Sequence, residues 1–197
     1  MSVRGSISLE CEARVMIDEK TYVEMKDFYL SKAKSYKSFT NKNIYIDTEG
    51  LYLVNHHMVL RIREIDESKA ELTLKVGGNN GDTEYNYSFK NAAELDYFIK
   101  NLDIPYDKIK EALLENNIDL SKLKIITTLV TERIEIPHRT YLFVIDKNYY
   151  DDIIDYNLEV EADSLAKAIR NLNRLGKLFN VKYKKGYVSK SHRAVLR

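Results

Sequence analysis

Charged residues recur at even spacings along this 197-residue sequence, in segments whose other positions are mostly apolar. Residues two or four positions apart project from the same side of a β-strand. Each segment therefore predicts a strand with one charged face and one apolar face. The pairs are Glu10 and Glu12, Arg61 and Arg63, Glu71 and Lys75, Arg133 and Glu135, and Glu159 and Glu161.

If such faces meet in one place, they would suit a ligand that combines phosphate with a divalent metal. Arginine and lysine bind phosphate oxygens, and arginine does so through two parallel hydrogen bonds. Carboxylates alone would repel a phosphate, but Mg²⁺ or Mn²⁺ between them makes the combination favourable. A single strand of this kind is more typical of a sheet whose polar face meets solvent. The fold therefore decides whether the charges form a site.

Alternation of apolar and polar residues predicts about eight strands that pair as antiparallel hairpins and meanders. Glycines and asparagines at 77–81 predict one turn, and Pro137 with His138 predicts the turn between the sixth and seventh strands. The strands are expected at Ile7–Ile17, Asn43–Thr48, Met58–Ile65, Ala70–Val76, Thr83–Phe89, Lys124–Ile136, Thr140–Lys147 and Asp155–Ala162.

Helical patterns interrupt and follow these strands. Asp18 and Ser164 each precede an apolar periodic segment and are typical N-cap residues. No linker rich in proline or serine divides the chain, so we expect a single domain over residues 1–197. The helices are expected from Asp18 to about Lys34, from Ala92 to Asn116 with a break at Pro105, from Ser164 to about Leu178, and from Ser189 to Leu196.

The helices need apolar surfaces, and the strands offer them on the faces opposite the charges. If the helices cover the outside, the charged faces point inward. A closed sheet of about eight strands encloses room for one small ligand. Buried unpaired ions are costly, so this interior should hold water, ions or a charged ligand. The apolar faces are Leu9/Cys11/Ala13, Leu60/Ile62, Leu72/Leu74/Val76 and Leu158/Val160/Ala162.

The overall composition disfavours several other classes of protein. Lysine and arginine total 31 against 30 acidic residues, and a net charge of +1 creates no global field that would attract nucleic acid or anionic membranes. The sequence contains no G-x-G-x-x-G or G-x-x-x-x-G-K pattern, which disfavours a Rossmann or P-loop nucleotide site. The aromatic and basic tail at Lys182–Tyr187 is more typical of a solvated tail or a lid than of RNA binding.

A cytoplasmic location without membrane insertion is the expectation from the cysteine content and the hydropathy. Cys11 is the single cysteine, and the charged N-terminal residues do not form a signal peptide. The longest apolar run, Tyr141–Ile145, is far shorter than the roughly 20 residues that cross a bilayer. Cys11 itself is expected to be buried and inert, and no histidine is expected to bind metal. The histidines are His56, His57, His138 and His192.

Seven short motifs follow one another along the chain. They are Glu10-x-Glu12-x-Arg14, Tyr45-Ile46-Asp47-Thr48, Leu60-Arg61-Ile62-Arg63, Leu72-Thr73-Leu74-Lys75, Asp146 before Tyr149, Leu158-Glu159-Val160-Glu161 and Ser189-Lys190-Ser191-His192-Arg193-Ala194. In this order they resemble the CYTH family, also called the triphosphate tunnel metalloenzymes, and most of all its small single-domain bacterial members. The departure is Arg14, because the family's E-x-E-x-K signature has lysine there.

The resemblance implies an α+β fold in which an eight-stranded antiparallel β-barrel forms a tunnel, with helices packed on its outside. It implies two divalent ions, Mg²⁺ or Mn²⁺, and a bound triphosphate. Glu10, Glu12 and Glu161 would hold one metal, while Asp146 and Glu159 would help to hold the second and orient the attacking water. The phosphate oxygens would be bound by Arg14, Arg61, Arg63, Lys75, Arg133, Lys190 and Arg193.

The activity implied by this resemblance is metal-dependent hydrolysis of a linear triphosphate. Inorganic triphosphate is the first candidate substrate, and nucleoside or thiamine triphosphate comes second, since the sequence shows no pocket that would recognise a base. A second hypothesis is that the protein is an adenylate cyclase, which converts ATP to cyclic AMP. A non-catalytic module that binds polyphosphate is a third, although it would have little use for Asp146, Glu159 and Glu161. The chain would act as a monomer or a homodimer.

Overall fold

The computed structural model describes residues 4–66, 69–78 and 81–196. Within these ranges, eight antiparallel strands close into a barrel in the order β1-β5-β4-β3-β2-β6-β7-β8. The predicted α+β barrel is therefore confirmed. The strands are β1 (Gly5–Ile17), β2 (Lys37–Asp47), β3 (Met58–Ile65), β4 (Lys69–Val76), β5 (Asp82–Ser88), β6 (Lys124–His138), β7 (Tyr141–Tyr150) and β8 (Ile153–Ala162).

Six α-helices and two short 3₁₀ turns accompany the barrel in the described part of the chain. Asp18 caps the first helix through a hydrogen bond from the Thr21 amide, and Ser164 caps the fifth in the same way. No helix among these has the length and apolar character that crossing a membrane requires. The helices are α1 (Glu19–Lys32), α2 (Tyr52–Asn55), α3 (Ala92–Asn101), α4 (Asp107–Glu115), α5 (Leu165–Gly176) and α6 (Lys190–Val195), with 3₁₀ turns at Leu120–Lys122 and Lys177–Phe179.

Two apolar cores lie outside the barrel, between its strands and its helices. One packs α3 and α4 against β2 to β5, and the other packs α1 and α5 against β1 and β6 to β8. Each fully buried aliphatic side chain contributes about 1.5–3 kcal/mol to folding. The barrel therefore turns its apolar faces outward and its charged faces inward. Fully buried members are Ile62, Leu72, Leu74, Ile109 and Leu113 in the first core, and Met25, Phe143, Ile145, Val160 and Ala168 in the second.

Three local expectations from the sequence need correction. Pro137 and His138 are the last residues of β6, and the turn lies at positions 139–140. Proline is tolerated near the end of a strand, so it did not mark the turn. Leu9 was grouped with the packed face, but it is 63% exposed, where β1 pairs with β5. The sequence does not predict helix α2, because four residues are too few to show a helical period. Asn79 and Asn80 of the predicted turn lie outside the described residues.

Candidate active site

The barrel encloses a cavity of about 360 Å³ lined by charges of both signs. This volume lies at the lower end of the range of small-molecule sites, about 300–1,000 Å³. Every strand with a predicted charged face contributes to it. The charged lining residues are Glu10, Glu12, Glu71, Asp82, Glu84, Glu135, Glu159 and Glu161, together with Arg14, Arg61, Arg63, Lys75, Arg133 and Lys190.

Three carboxylates form a cluster at the junction of β1 and β8. One oxygen from each of Glu10, Glu12 and Glu161 lies within 4.8 Å of the others. The register places Glu12 directly opposite Glu161, and Glu10 lies two residues before Glu12 on the same face of β1. Oxygen donors at this spacing fit a hard divalent cation such as Mg²⁺ or Mn²⁺.

The electrostatics of this acidic cluster show an excess of negative charge. Burial and the neighbouring Glu10 raise the pKa of Glu161 to about 7. Burial and Glu12 likewise raise the pKa of Glu10, although Lys75 opposes the shift. The protein's own cations therefore do not neutralise this cluster, which is what a cation-binding site requires.

Three arginines, Arg61, Arg63 and Arg133, lie close together on another part of the cavity wall. Burial and the nearby Arg61 and Arg133 lower the pKa of Arg63 to about 10. The Arg63 guanidinium lies 3.8 Å from Glu71 and donates a 3.3 Å hydrogen bond to Asn43. These contacts leave the mutual repulsion of the arginines uncompensated, so this part of the cavity favours an anion.

Four polar atoms on the cavity wall are left without a hydrogen-bond partner from the described part of the protein. They are buried side-chain atoms, and all four belong to residues that line the cavity. The Glu12 oxygen contacts the Arg14 guanidinium, and Arg14 Nε lies 3.3 Å from Glu159, but neither pair has hydrogen-bonding geometry. Unpaired buried polar atoms are rare in folded proteins. The four atoms are Glu12 Oε1, Arg14 Nε, Asn41 Oδ1 and Arg61 Nε.

A buried ion-pair network joins β6, β7, β8 and α6. Arg133 donates to Asp146 at 2.8 and 2.9 Å and to Glu159 at 2.7 Å. Lys190 contacts Asp146 and lies 2.8 Å from Glu159. Burial opposes ionisation of Glu159, but Lys190 and Arg133 outweigh it and hold its pKa well below the usual range. Asp146 is fully buried behind these cations and is not among the residues that line the cavity.

Lys75 lies on the acidic side of the cavity. A residue that only binds phosphate would be expected among the other cations instead. The Lys75 ammonium contacts Glu10, lies 2.9 Å from Glu84 and lies 3.6 Å from Glu12. Burial opposes ionisation of Glu84, but Lys75 and Arg61 outweigh it and lower its pKa to about 2. Lys75 thus connects the acidic cluster to the β5 wall.

One end of the cavity is covered by α2 and by residues 187–195, called here the C-terminal segment. Ser189, Lys190 and His192 of this segment line the cavity, as does His57 after α2. Asp47 fixes α2 by accepting hydrogen bonds from the amides of Leu53 and Val54 at 2.8 and 3.0 Å. Asp47 therefore has a structural role in its motif and does not line the cavity, whereas Tyr45 of the same motif does.

Arg193 stands apart from the other predicted phosphate ligands. It is not among the residues that line the cavity, and its guanidinium binds Asp155 at 2.8 and 3.2 Å. It also donates to the hydroxyls of Tyr187 and Tyr150 at 2.9 and 3.1 Å. The structure thus brings Arg14, Arg61, Arg63, Lys75, Arg133 and Lys190 to one cavity and places Arg193 behind its wall.

Several lining residues were not singled out from the sequence. Asp82, Glu84 and Asn86 alternate along β5, so the period of two that revealed the other charged faces was present there as well. Asn41, Asn43 and other neutral lining residues carry no charge that such a search would detect. The neutral polar lining residues that the sequence did not indicate include Asn41, Asn43, Asn86 and Thr131.

Comparison with known sequences adds a family match. The sequence profile of the CYTH domain matches residues 8–187. A protein of Bacillus subtilis (strain 168) named "Putative triphosphatase YjbK" is 28% identical over 177 residues, which cover 89% of this chain and 89% of that protein.

Comparison with solved structures extends this similarity to the fold. A Bacillus halodurans protein described as "a putative adenylate cyclase" superposes with a TM-score of 0.84 at 26% identity, over 95% of this chain and 97% of that one. HpAC1 from Hippeastrum superposes with a TM-score of 0.70 at 16% identity, over 94% of this chain and 95% of that one. It is described as a "putative adenylyl cyclase" with a dominant triphosphatase activity, and at this identity the match shows the fold alone.

Proposed function

The chain belongs to the CYTH domain family, as its motifs predicted, and on this premise we propose that it is a divalent-metal-dependent triphosphatase. The substrate is a linear triphosphate bound inside the barrel, with inorganic triphosphate as the first candidate. The observation that carries the proposal is the set of unpaired polar atoms, both acidic and basic, on the cavity wall.

The charges of the cavity support this substrate because the local ion pairs compensate neither sign completely, as the raised pKa of Glu161 and the lowered pKa of Arg63 indicate. Glu10, Glu12 and Glu161 require a cation, and the crowded Arg61 and Arg63 require an anion. A monovalent salt could fill either need, but a metal–phosphate complex fills both in one connected cavity. A triphosphate with its metal also presents the high charge density that six lysine and arginine side chains would bind.

A divalent cation fits the acidic cluster on the evidence of its donors. All three ligands are carboxylates, their oxygens lie within 4.8 Å of one another, and the Glu12 oxygen has no hydrogen-bond partner. When bound, Mg²⁺ or Mn²⁺ would neutralise phosphate charge and lower the pKa of an attacking water. We propose Glu10, Glu12 and Glu161 as its ligands, and Glu159 as a residue that would help to hold a second ion. Asp146, predicted from the motif for the same role, is fully buried against Arg133 and Lys190 and would act by positioning these two cations.

The remaining residues of the cavity would position the phosphate chain. Arg61, Arg63 and Arg133 would bind its non-bridging oxygens and stabilise the charge that develops on the transferring phosphoryl group. Glu159, which stays ionised, would accept a hydrogen bond from the attacking water and so orient it. Lys190 would neutralise charge at the end of the cavity that the C-terminal segment covers.

Inorganic triphosphate is favoured by the lining itself. Tyr45 is the single Phe, Tyr or Trp residue among those described that line the cavity, and it is 3% exposed. Recognition of a nucleobase commonly uses an exposed aromatic face for stacking. The name of the Bacillus subtilis relative supports a triphosphatase, whereas the description of the Bacillus halodurans structure keeps adenylate cyclase as the second candidate.

The test is phosphate release from tripolyphosphate, ATP and thiamine triphosphate, each with Mg²⁺, with Mn²⁺ and with a chelator. Fast release from tripolyphosphate that the chelator abolishes is expected. Cyclic AMP with pyrophosphate from ATP would establish the cyclase instead. Tight, metal-independent binding of tripolyphosphate without turnover would establish a binding module. Glu161→Gln is expected to abolish turnover, whereas Glu24→Gln, on the exposed face of α1, is the matched control.

A further inference from the structure

Arg193 ties the C-terminal segment to the barrel through three hydrogen bonds and makes another within the segment, to Tyr187. Its Nε and Nη2 bind both oxygens of Asp155 on β8, at 2.8 and 3.2 Å. Its Nη1 donates to the Tyr187 hydroxyl at 2.9 Å, and its Nε also reaches the Tyr150 hydroxyl on β7 at 3.1 Å. The side chains of Arg193 and Asp155 are only 15% and 13% exposed. The contact is therefore a shielded ion pair with a fixed geometry, unlike a mobile surface pair.

Lys190 lies one helical turn before Arg193 and has a different environment. Its ammonium lines the cavity, 2.8 Å from Glu159, and its side chain is 13% exposed. Helix α6 has only six residues, and a helix of this length has little stability of its own. Tertiary contacts must therefore hold the backbone that carries Lys190.

The apolar contacts of α6 are limited. Ala194 packs with Tyr45, Leu129 and Tyr150, and Val195 lies partly buried beside them. Apolar packing is non-directional and leaves rotation about the helix axis weakly determined. The bidentate Arg193–Asp155 pair is directional, so it fixes which face of α6 points into the cavity.

We propose that Arg193 is a positioning residue: it does not contact the phosphate chain, and it acts by holding Lys190 at the covered end of the cavity. Tyr187 belongs to the same device, because its ring lies 5.3 Å from the Arg193 guanidinium carbon and 6.0 Å from that of Arg14. The inference rests on the proposed function for its substrate. It differs from the role that the sequence motif implied, in which Arg193 binds phosphate directly.

A double-mutant cycle separates positioning from direct binding, using calorimetric titration with tripolyphosphate without metal and steady-state hydrolysis with Mg²⁺. Lys190→Ala removes a charged contact and is expected to weaken binding roughly 10- to 100-fold. Arg193→Ala is expected to weaken tripolyphosphate binding by less than Lys190→Ala does, about fivefold. In the Lys190→Ala background, the same substitution is expected to weaken binding by less than about twofold. An undiminished effect of Arg193→Ala in the Lys190→Ala background would overturn the proposal and establish direct phosphate binding.

Two further variants address folding and charge. Arg193→Lys keeps the charge but loses the planar fork, so it is expected to fold and to restore only part of the affinity. Arg170→Ala, on the exposed surface of α5, removes a charge far from the network and is expected to bind tripolyphosphate normally. If Arg193→Lys equals wild type and Arg170→Ala equals Arg193→Ala, the effect is one of net charge and the proposal fails.

Amide hydrogen exchange across residues 187–195 needs no substrate, so it separates this inference from the proposed function. Exchange there is expected to be at least about tenfold faster in Arg193→Ala than in wild type, since local opening controls it. Asp155→Asn is expected to act in the same direction. If wild type neither binds nor hydrolyses tripolyphosphate, the proposed function fails, while faster exchange still supports the positioning role. Identical exchange in wild type and Arg193→Ala would overturn that role whatever the substrate.

Discussion

The guanidinium of Arg133 binds the carboxylate of Asp146 through two parallel hydrogen bonds, Nε to Oδ1 at 2.9 Å and Nη2 to Oδ2 at 2.8 Å. Asp146 has no exposed surface, so its charge depends on buried neighbours for compensation. Asn157 and Lys190 also contact it. This pair is a structural element of the barrel wall as well as part of the candidate site.

Arg133→Met is expected to destabilise the protein by about 3–5 kcal/mol, because it leaves a buried carboxylate without its main partner. Urea unfolding of the metal-free protein measures the change. Lys108→Met removes an exposed lysine that pairs with Glu111 at 2.6 Å on α4, and it should leave the stability nearly unchanged. Equal losses in the two variants would contradict the assigned role of the Arg133–Asp146 pair.

Strand alternation predicted the fold and most of the cavity lining because one physical rule governs both. Residues at even spacing share a face, and the apolar faces had to meet the helices. Once the sheet closed, Arg61 and Glu161 had to point inward together. The same rule applied to Asp82 and Glu84, and a fuller search of the alternating positions would have found them.

What the sequence could not predict is which charged groups pair across the barrel. Asp146 and Arg193 belong to the motifs, yet neither lines the cavity, because each is bound to a partner distant in sequence. Lys75 likewise meets Glu10, 65 positions away along the chain. Such pairings depend on the closed strand order and on side-chain length, and neither leaves a periodic signal in the sequence.

Glu161 makes the stability of the metal-free protein depend on pH. Burial and Glu10 raise its pKa from 4.5 to about 7, so the folded state keeps a proton that the unfolded state releases between these values. Stability from this group is therefore complete below about pH 4.5, falls as pH rises to about 7, and then stays level. The loss is at most about 3.5 kcal/mol, since the two pKa values differ by about 2.5 and one pKa unit corresponds to about 1.4 kcal/mol.

Glu161→Gln tests this dependence because it removes the titrating group. With chelator present, the variant is expected to match wild type near pH 4.5 and to be more stable than wild type at pH 8, as measured by urea unfolding at each pH. Adding Mg²⁺ at pH 8 should stabilise wild type more than the variant. Glu24→Gln is expected to track wild type at every pH. A constant difference between Glu161→Gln and wild type across this range would contradict the raised pKa.

Arg61→Ala is expected to weaken substrate binding with little loss of stability. Arg61 Nε has no hydrogen-bond partner among the described residues, and the repulsion between Arg61 and Arg63 offsets the attraction between Arg61 and Glu84. Loss of one charged hydrogen-bond donor should raise KM for tripolyphosphate roughly 10- to 100-fold, with a smaller change in kcat. Lys42→Ala, which removes an exposed pair with Glu64 on the outside of the barrel, is the control. An unchanged KM in Arg61→Ala would contradict phosphate binding by Arg61.

Gly81 sets the position of Glu10 through backbone contact. Its φ of +132° favours glycine, and a Cβ there would lie 2.5 Å from the Glu10 carbonyl oxygen and 2.9 Å from Cys11 Sγ. Gly81→Ala is therefore expected to destabilise the protein by at least about 1–3 kcal/mol, the usual cost of a strained backbone position. It should also weaken Mn²⁺ binding, because relief of the clash moves the strand that carries Glu10.

Gly50→Ala provides the matched control for this prediction. A Cβ at Gly50 meets nothing within 4 Å, and its φ lies outside the left-handed region. This variant is expected to be neutral or to stabilise by up to about 1 kcal/mol, because alanine restricts the unfolded chain. Urea unfolding and calorimetric titration with Mn²⁺ measure both effects on the two variants. If Gly81→Ala kept the stability and the Mn²⁺ affinity of Gly50→Ala, the backbone at Gly81 would not control the position of Glu10.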